Sequence, residues 1–262
     1  MVFSGVPFLY YFLPGCVLLY ALAPKRLKNA ALLLASLLFY AWGEPKYVLL
    51  LLASIAQGYA AALVIERRRG TRAAAIARTV SVVLSLGLLA VFKYADFFLG
   101  SFAAVTGLSV PLLRLALPAG ISFYTFQILS YVLDVWHGRA PAQRRFVDLA
   151  TYIAMFPQLI AGPIVKYRDV SAQLHVYEHR YSLRQIEEGM TLFTFGLAKK
   201  VLLADAVGAL WTDIIGIQNS PSTTYVGLGN ASTALVWLGV IAYSLQLYFD
   251  FSGYSMMAIG MG

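Results

Sequence analysis

Apolar runs, cut at charge, glycine and proline, lay out this chain. Residues 8–23 make the first run, and 29–42 a shorter second that closes at Gly43-Glu44-Pro45. A third covers 47–65, whose length at about 1.5 Å per residue approaches the ~30 Å hydrocarbon core of a bilayer. Runs at 79–99 and 115–136 follow. The stretch 146–165 is apolar as well but holds Pro157 and Gly162-Pro163, which predicts a broken or re-entrant segment. Such backbone survives at membrane depth only where protein or a water-filled cavity surrounds it. Runs at 201–217 and 233–262 complete the set. The pattern predicts an all-α fold, a polytopic transmembrane helix bundle. Nothing repeats and no long linker intervenes, so residues 1–262 are expected to form a single membrane domain.

Composition agrees. The 262 residues are 60% hydrophobic and 12% charged, with a mean hydropathy of +0.72, against about 25% charged residues in soluble domains. The net charge of +8 could suggest nucleic acid, but the basic residues sit in short clusters between apolar runs. No continuous polar face is left for a phosphate backbone to track, so nucleic acid is not an expected partner. The single cysteine, Cys16, lies inside the first run and excludes a disulfide or thiolate metal site within one chain. Met1 to Ala23 carries no charge, and Lys25, Arg26 and Lys28 come after it. A signal peptide has the reverse order, so the first run reads as a retained helix.

Charge also sets orientation. With the N-terminus outside, loops 24–28, 66–78, 139–148 and 166–200 face the cytoplasm. Of the 20 lysines and arginines, only Lys46 and Arg114 then fall in outward loops, and Lys93 falls within a span. That bias is the positive-inside signature. The last run stays apolar through Ala258-Ile259-Gly260-Met261-Gly262 with no interfacial anchor, which predicts a domain incomplete at its C-terminus.

Several polar groups could carry chemistry. His175-Val176-Tyr177-Glu178-His179 matches a zinc-peptidase pattern, yet no third ligand or helical context accompanies it, and no metal is expected. His137 reads as an interfacial residue, with Asp134 as its partner three positions earlier. Lys93 and Asp96 share a helix face and are expected to pair or snorkel. The stretch 246–255 is more informative: Gln246, Tyr248, Asp250, Ser252 and Tyr254 stand in an otherwise apolar span. A carboxylate at that depth faces a cavity or a partner by default, either lining a polar passage or serving as helix–helix glue. Regular helix geometry puts Gln246, Asp250 and Tyr254 on one stripe and Tyr248 and Ser252 on another. Pro157, Gln158, Gly162 and Pro163 are a second passage candidate, because the prolines free backbone groups that need local partners. Lys199 and Lys200 mark the inner boundary, as anchors or as a docking point for an anionic donor.

The stretches Met1-Val2-Phe3-Ser4, Phe39-Tyr40-Ala41-Trp42, Phe92-Lys93-Tyr94, Pro118 to Gln127, Phe156 to Pro163, Gly196 to Asp205 and Leu247 to Gly262 resemble the membrane-bound O-acyltransferases, in the bacterial alginate O-acetyltransferase branch. The resemblance implies transfer of an acetyl group from a cytoplasmic thioester such as acetyl-CoA towards an extracytoplasmic polysaccharide. It implies exopolysaccharide O-acetylation in alginate biosynthesis, hand-over to a separate periplasmic acetyltransferase, and a bacterial inner membrane location. It also implies a histidine acting as base beyond Gly262. None of His137, His175 or His179 falls on a matching position, so the 262 residues by themselves are expected to be inactive. Where the family pattern has an aspartate after Ser255, this chain has Met256. D-alanyl transfer to teichoic acid is the nearest rival. A transporter or channel, which would want broken helices in two matching halves, and a non-catalytic scaffold are the others.

Overall fold

The computed structural model describes residues 4–108, 111–159, 165–175, 182–215 and 231–262, and among these every regular element is helical. The helices are α1 (Leu13–Leu22), α2 (Lys28–Gly43), α3 (Val48–Arg67), α4 (Arg72–Thr106), α5 (Ile121–Trp136), α6 (Phe146–Ala154), α7 (Phe156–Leu159), α8 (Tyr167–His175), α9 (Leu183–Ala198), α10 (Asp205–Ile215) and α11 (Thr233–Met261). Three continuous helical stretches, Pro45–Arg67, Arg72–Thr106 and Thr233–Met261, are long and apolar enough to cross a bilayer. Their outer faces carry large bare side chains, among them Leu49, Phe97, Phe98 and Trp237, which suit lipid and would be a liability in water. This is a helical membrane protein.

Helix ends follow local chemistry. Thr71 Oγ1 accepts the Ala74 N–H at the start of α4, and Gly107 closes it in the left-handed conformation, φ 72°, which costs glycine little. Ser182 and Gln185 form a reciprocal capping box on α9, and Ser232 caps α11.

The helices gather into two compact units, one of residues 12–160 and 164–179, the other of 2–11, 161–163 and 180–262. In the first, α3 packs on α4 and α5, and α2 packs on α6. Two expectations need correction here. The run 115–136 is not one helix: α5 starts only at Ile121, after Pro118 and a left-handed Gly120 (φ 72°). Residues 111–118 before it belong to no helix or strand, so side chains satisfy part of their backbone. Asp96 accepts the N–H groups of Leu113 and Arg114 at 2.7 and 2.9 Å, and Glu44 accepts that of Ala119 at 2.8 Å. Tyr47 and Tyr40 donate to the carbonyls of Ala116 and Ala119. Asp96 therefore holds this loop rather than pairing with Lys93, whose ammonium lies 5.5 Å from the Tyr94 ring centroid.

The expected break at 146–165 is present. Met155 turns extended (ψ 116°) between α6 and α7. An uninterrupted helix would drive the Pro157 ring into the Ile153 carbonyl; instead Pro157 sits in the first turn of α7, where no N–H is needed. The freed Phe156 N–H goes to Ser36 Oγ, buried in α2, at 3.1 Å. Gly162 and Pro163 lie outside the described residues. Three tyrosine rings close this core edge to face: Tyr131 against Tyr167 at 4.8 Å and Tyr152 against Tyr167 at 5.5 Å. Burial, and behind it the Asp148 carboxylate, push the Tyr167 phenol up to about 12.

The expected loop 166–200 is corrected as well: α8 occupies Tyr167–His175 in the first unit, and α9 occupies Leu183–Ala198 in the second. α9 runs through a π-helical turn, Lys199–Ala204, directly into α10. α11 lies antiparallel on this composite rod. A Cβ on Gly196 would stand 2.6 Å from the Gly253 carbonyl oxygen, and one on Gly189 would stand 2.7 Å from that of Gly260. Backbone packs on backbone at both crossings, the close approach that small residues allow in lipid.

Candidate functional site

The α9–α11 seam determines which polar groups meet. On α11, Gly239, Gln246, Gly253 and Gly260 recur every seven residues, so they stay on one face. Opposite them the rod presents Gly189, Phe193 and Gly196, then Lys200, Ala204 and Gly208. A regular 3/4 alternation would continue 200, 203, 207. The π turn holds one residue more and shifts the contact positions to 204 and 208. Accordingly Ala204 is fully buried, while Leu203 is 42% exposed.

The same turn builds the charge cluster. The Asp205 N–H bonds the Lys200 carbonyl five residues back, which stacks two side chains that an α-helix would splay apart. Lys200 Nζ then lies 2.8 Å from Asp205 Oδ1 and 2.9 Å from Asp250 Oδ1. One ammonium between two carboxylates leaves a formal charge of −1 at a membrane-spanning helix. Beside it, the preceding residue, Lys199, donates from Nζ to Ser252 Oγ at 3.2 Å. Gly253 fits between these two lysine contacts, with its Cβ direction 3.1 Å from the Lys200 backbone nitrogen.

Lys199, Lys200, Asp250 and Ser252, two separate groups in the sequence, thus form one cluster. Gln246 lies on Gly208, where a Cβ would be 2.6 Å from its Nε2. Tyr254 is half-buried on the Asp250 face. Tyr248 is 64% exposed and takes no part. Asp205 was missed: a spacing of five argues against pairing on an α-helix, and only the π turn reverses that. Pro157 and Gln158 sit in the other unit, around the break described above.

In that unit His137 Nδ1 donates to the Leu133 carbonyl at 2.7 Å. It does not pair with Asp134, as expected from spacing; Asp134 is instead buried, with Arg139 Nη1 3.9 Å from its Oδ1. Beside them a cavity of about 320 Å³ is lined by Glu66, Arg69, Gly138, Arg139, Ala140 and Pro141. Arg144 pairs with Glu66, and Arg69 donates to the Val135 carbonyl at 3.0 Å. His175–His179 falls almost wholly outside the described residues. Among the described residues no group of three or more His, Cys, Asp or Glu side chains could share a metal ion.

Helices long and apolar enough to span a bilayer, with a proline-broken segment in one unit and an ion-bridged seam in the other, define a helical membrane protein. Residues 142–262, which hold the whole seam, match the model of the membrane-bound O-acyltransferase family. Over its full length it is 41% identical to the Pseudomonas aeruginosa protein described as probable alginate O-acetylase AlgI, covering 49% of it. It is 33% identical to the Helicobacter pylori peptidoglycan O-acetyltransferase, covering 54%. A teichoic acid D-alanyltransferase of Lacticaseibacillus rhamnosus is 25% identical over 74% of the chain and 45% of that relative. The chain spans about half the length of the curated relatives it matches.

Proposed function

We propose that this chain is part of a membrane O-acyltransferase that moves an acetyl group from a cytoplasmic thioester, such as acetyl-CoA, towards an extracytoplasmic polysaccharide of the alginate type. The observation that carries the reading is the 41% identity across every span to a protein described as an alginate O-acetylase. A bacterial inner membrane location, an outward N-terminus and a periplasmic acetyltransferase partner belong to the same reading. The −1 cluster at Lys200, Asp205 and Asp250 fixes the α9–α11 seam beside the acyl path, and Lys199 is the cation left nearer to an anionic donor. Both of its neighbour's carboxylates are already engaged, so Lys200 serves structure before docking. No catalytic base is assigned to His137, whose Nδ1 proton is committed to Leu133.

Deletion of the gene, followed by complementation, tests the proposal. Acetyl esters on the cell's exopolysaccharide, counted by NMR, should vanish and return. If they persist and D-alanyl esters on an anionic envelope polymer disappear instead, the rival transfer holds.

A further inference from the structure

Along α5, Tyr124, Gln127, Tyr131 and Asp134 recur at steps of three, four and three, which sets all four on one helix face. That face is interior: none of the four is more than 6% exposed. Ten residues of helix rise about 15 Å, half the depth of a hydrocarbon core. A face built only for packing would be apolar there. Tyr131 Oη accepts the Gln143 N–H at 2.9 Å. The other three each bury a polar atom with no protein partner among the described residues: Tyr124 Oη, Gln127 Oε1 and Asp134 Oδ2. Buried polar atoms are rarely left so, and water is the usual partner where protein supplies none.

The two ends of this row are polar as well. Tyr124 lies within electrostatic reach of Glu44, the carboxylate that holds Ala119. Asp134 faces Arg139, which lines the 320 Å³ cavity with Glu66 and Arg69. By the charge layout, Glu44 stands at the outer boundary and the cavity at the inner one.

We propose that this face of α5 is a hydrated file that carries a proton from the outer boundary to the inner one. The Cβ atoms of neighbours at steps of three and four lie about 5–6 Å apart, near enough for bridging water to link successive polar groups. The use of the file rests on the acyl transfer proposed above. Passing an acetyl group from a thioester to an alcohol breaks the C–S bond, forms a C–O bond, and moves the hydroxyl proton to the departing thiolate. With the alcohol outside and the thiol released inside, an inward file returns that proton to the side where the thiol leaves.

Radiolytic hydroxyl-radical footprinting of the full-length protein in lipid nanodiscs reads internal water directly. Tyr152 is the control: it is equally buried, but its hydroxyl donates to the Val165 carbonyl at 2.6 Å. Tyr124 should be labelled several-fold faster than Tyr152. Gln127→Leu should bring Tyr124 down to the control rate and slow acetyl transfer with the donor KM unchanged, while Gln127→Glu keeps both near wild type. Equal labelling of Tyr124 and Tyr152 overturns the hydrated file. Loss of labelling in Gln127→Leu with wild-type transfer overturns the proton role. A labelled Tyr124 in a wild-type protein that moves no acyl group would instead sink the proposed function and leave the file standing.

Discussion

Lys200 and Asp205 stand five residues apart in sequence, and their side chains meet at 2.8 Å because the helix between them is π-wound. Lys200 also reaches Asp250 on α11, so one ammonium ties an irregular turn to its neighbouring helix. Removing it as Lys200→Met leaves two carboxylates facing each other. Breaking a fully buried pair costs about 3–5 kcal/mol. Both carboxylates are accessible here, 51% and 41% of their side-chain surface, so screening reduces the expected loss to about 1–3 kcal/mol. Thermal unfolding in detergent should show it, and Lys200→Met with Asp250→Asn should recover part of it, a coupling that a double-mutant cycle measures. Additive losses would mean that the two residues do not act as a pair.

The glycines of the seam make a sharper contrast. A Cβ on Gly253 meets the Gly196 carbonyl oxygen at 2.7 Å, backbone that cannot rotate away, whereas a Cβ on Gly87 meets nothing within 4 Å. Gly253→Ala should destabilise by about 1–3 kcal/mol through overpacking. Gly87→Ala, on an open face of α4, should be neutral or stabilising by up to about 1 kcal/mol. Melting temperatures of the two variants in the same detergent decide the matter, and equal shifts would argue against the close backbone crossing.

Much of this could be read from residues alone, and the failures share one cause. Apolar runs place α2, α3 and α11 within a few residues, because length and hydropathy are local properties. The break at Met155 follows from Pro157, a local steric fact. What escaped depends on departures from the regular α-helix, some of them held by hydrogen bonds between distant parts. The run 115–136 reads as one helix, yet Asp96 and Glu44 hold the stretch 113–119 outside the helix from 17 to 75 residues away. The Lys200 cluster was legible only as two unrelated groups, since an α-helical wheel keeps Asp205 off the Lys200 face. Asp250 was singled out on energetic grounds, but its partner had to come from the fold.

The carboxylate clamps lead to a prediction of their own. Asp96→Ala removes the acceptor of two consecutive amides, and Glu44→Ala removes that of a third. Hydrogen exchange at Leu113 and Arg114 should speed up about tenfold or more in the first variant, as expected for loss of charge-assisted hydrogen bonds of about 1.5–3 kcal/mol less screening. Ala119 should respond only to the second. Unchanged exchange at 113 and 114 in Asp96→Ala would show that the loop is held by something else.

Orientation is tested by reporter fusions. Joined after residue 70 or 143, an enzymatic reporter should read as cytoplasmic, because those loops hold Arg67, Arg68, Arg69 and Arg72 or Arg139, Arg144 and Arg145. Joined after residue 106 it should read as outside. An outward signal at 70 would overturn the layout at its most basic loop, and with it the inward direction given to the α5 file.

Asp250 separates structure from catalysis. If the cluster only fastened helices, Asp250→Ala and Ser252→Ala would each loosen the seam and nothing more. Asp250, however, holds Lys200 at 2.9 Å, while Ser252 merely accepts from Lys199 at 3.2 Å, so the two sites should differ in activity as well as in stability. In the full-length enzyme Asp250→Ala should lower acetyl transfer by about tenfold or more, the scale of one misplaced interaction of roughly 1.4 kcal/mol or above at the transition state. Ser252→Ala should stay within about threefold of wild type. Asp250→Asn keeps the shape and a hydrogen-bond acceptor, and should restore insertion and folding while recovering only part of the rate. Quantitative blotting of the membrane fraction has to accompany the assay, so that lost protein is not counted as lost turnover. Asp250→Ala protein that is present at normal levels and transfers acetyl normally would remove the cluster from the acyl path and leave it a fastening alone.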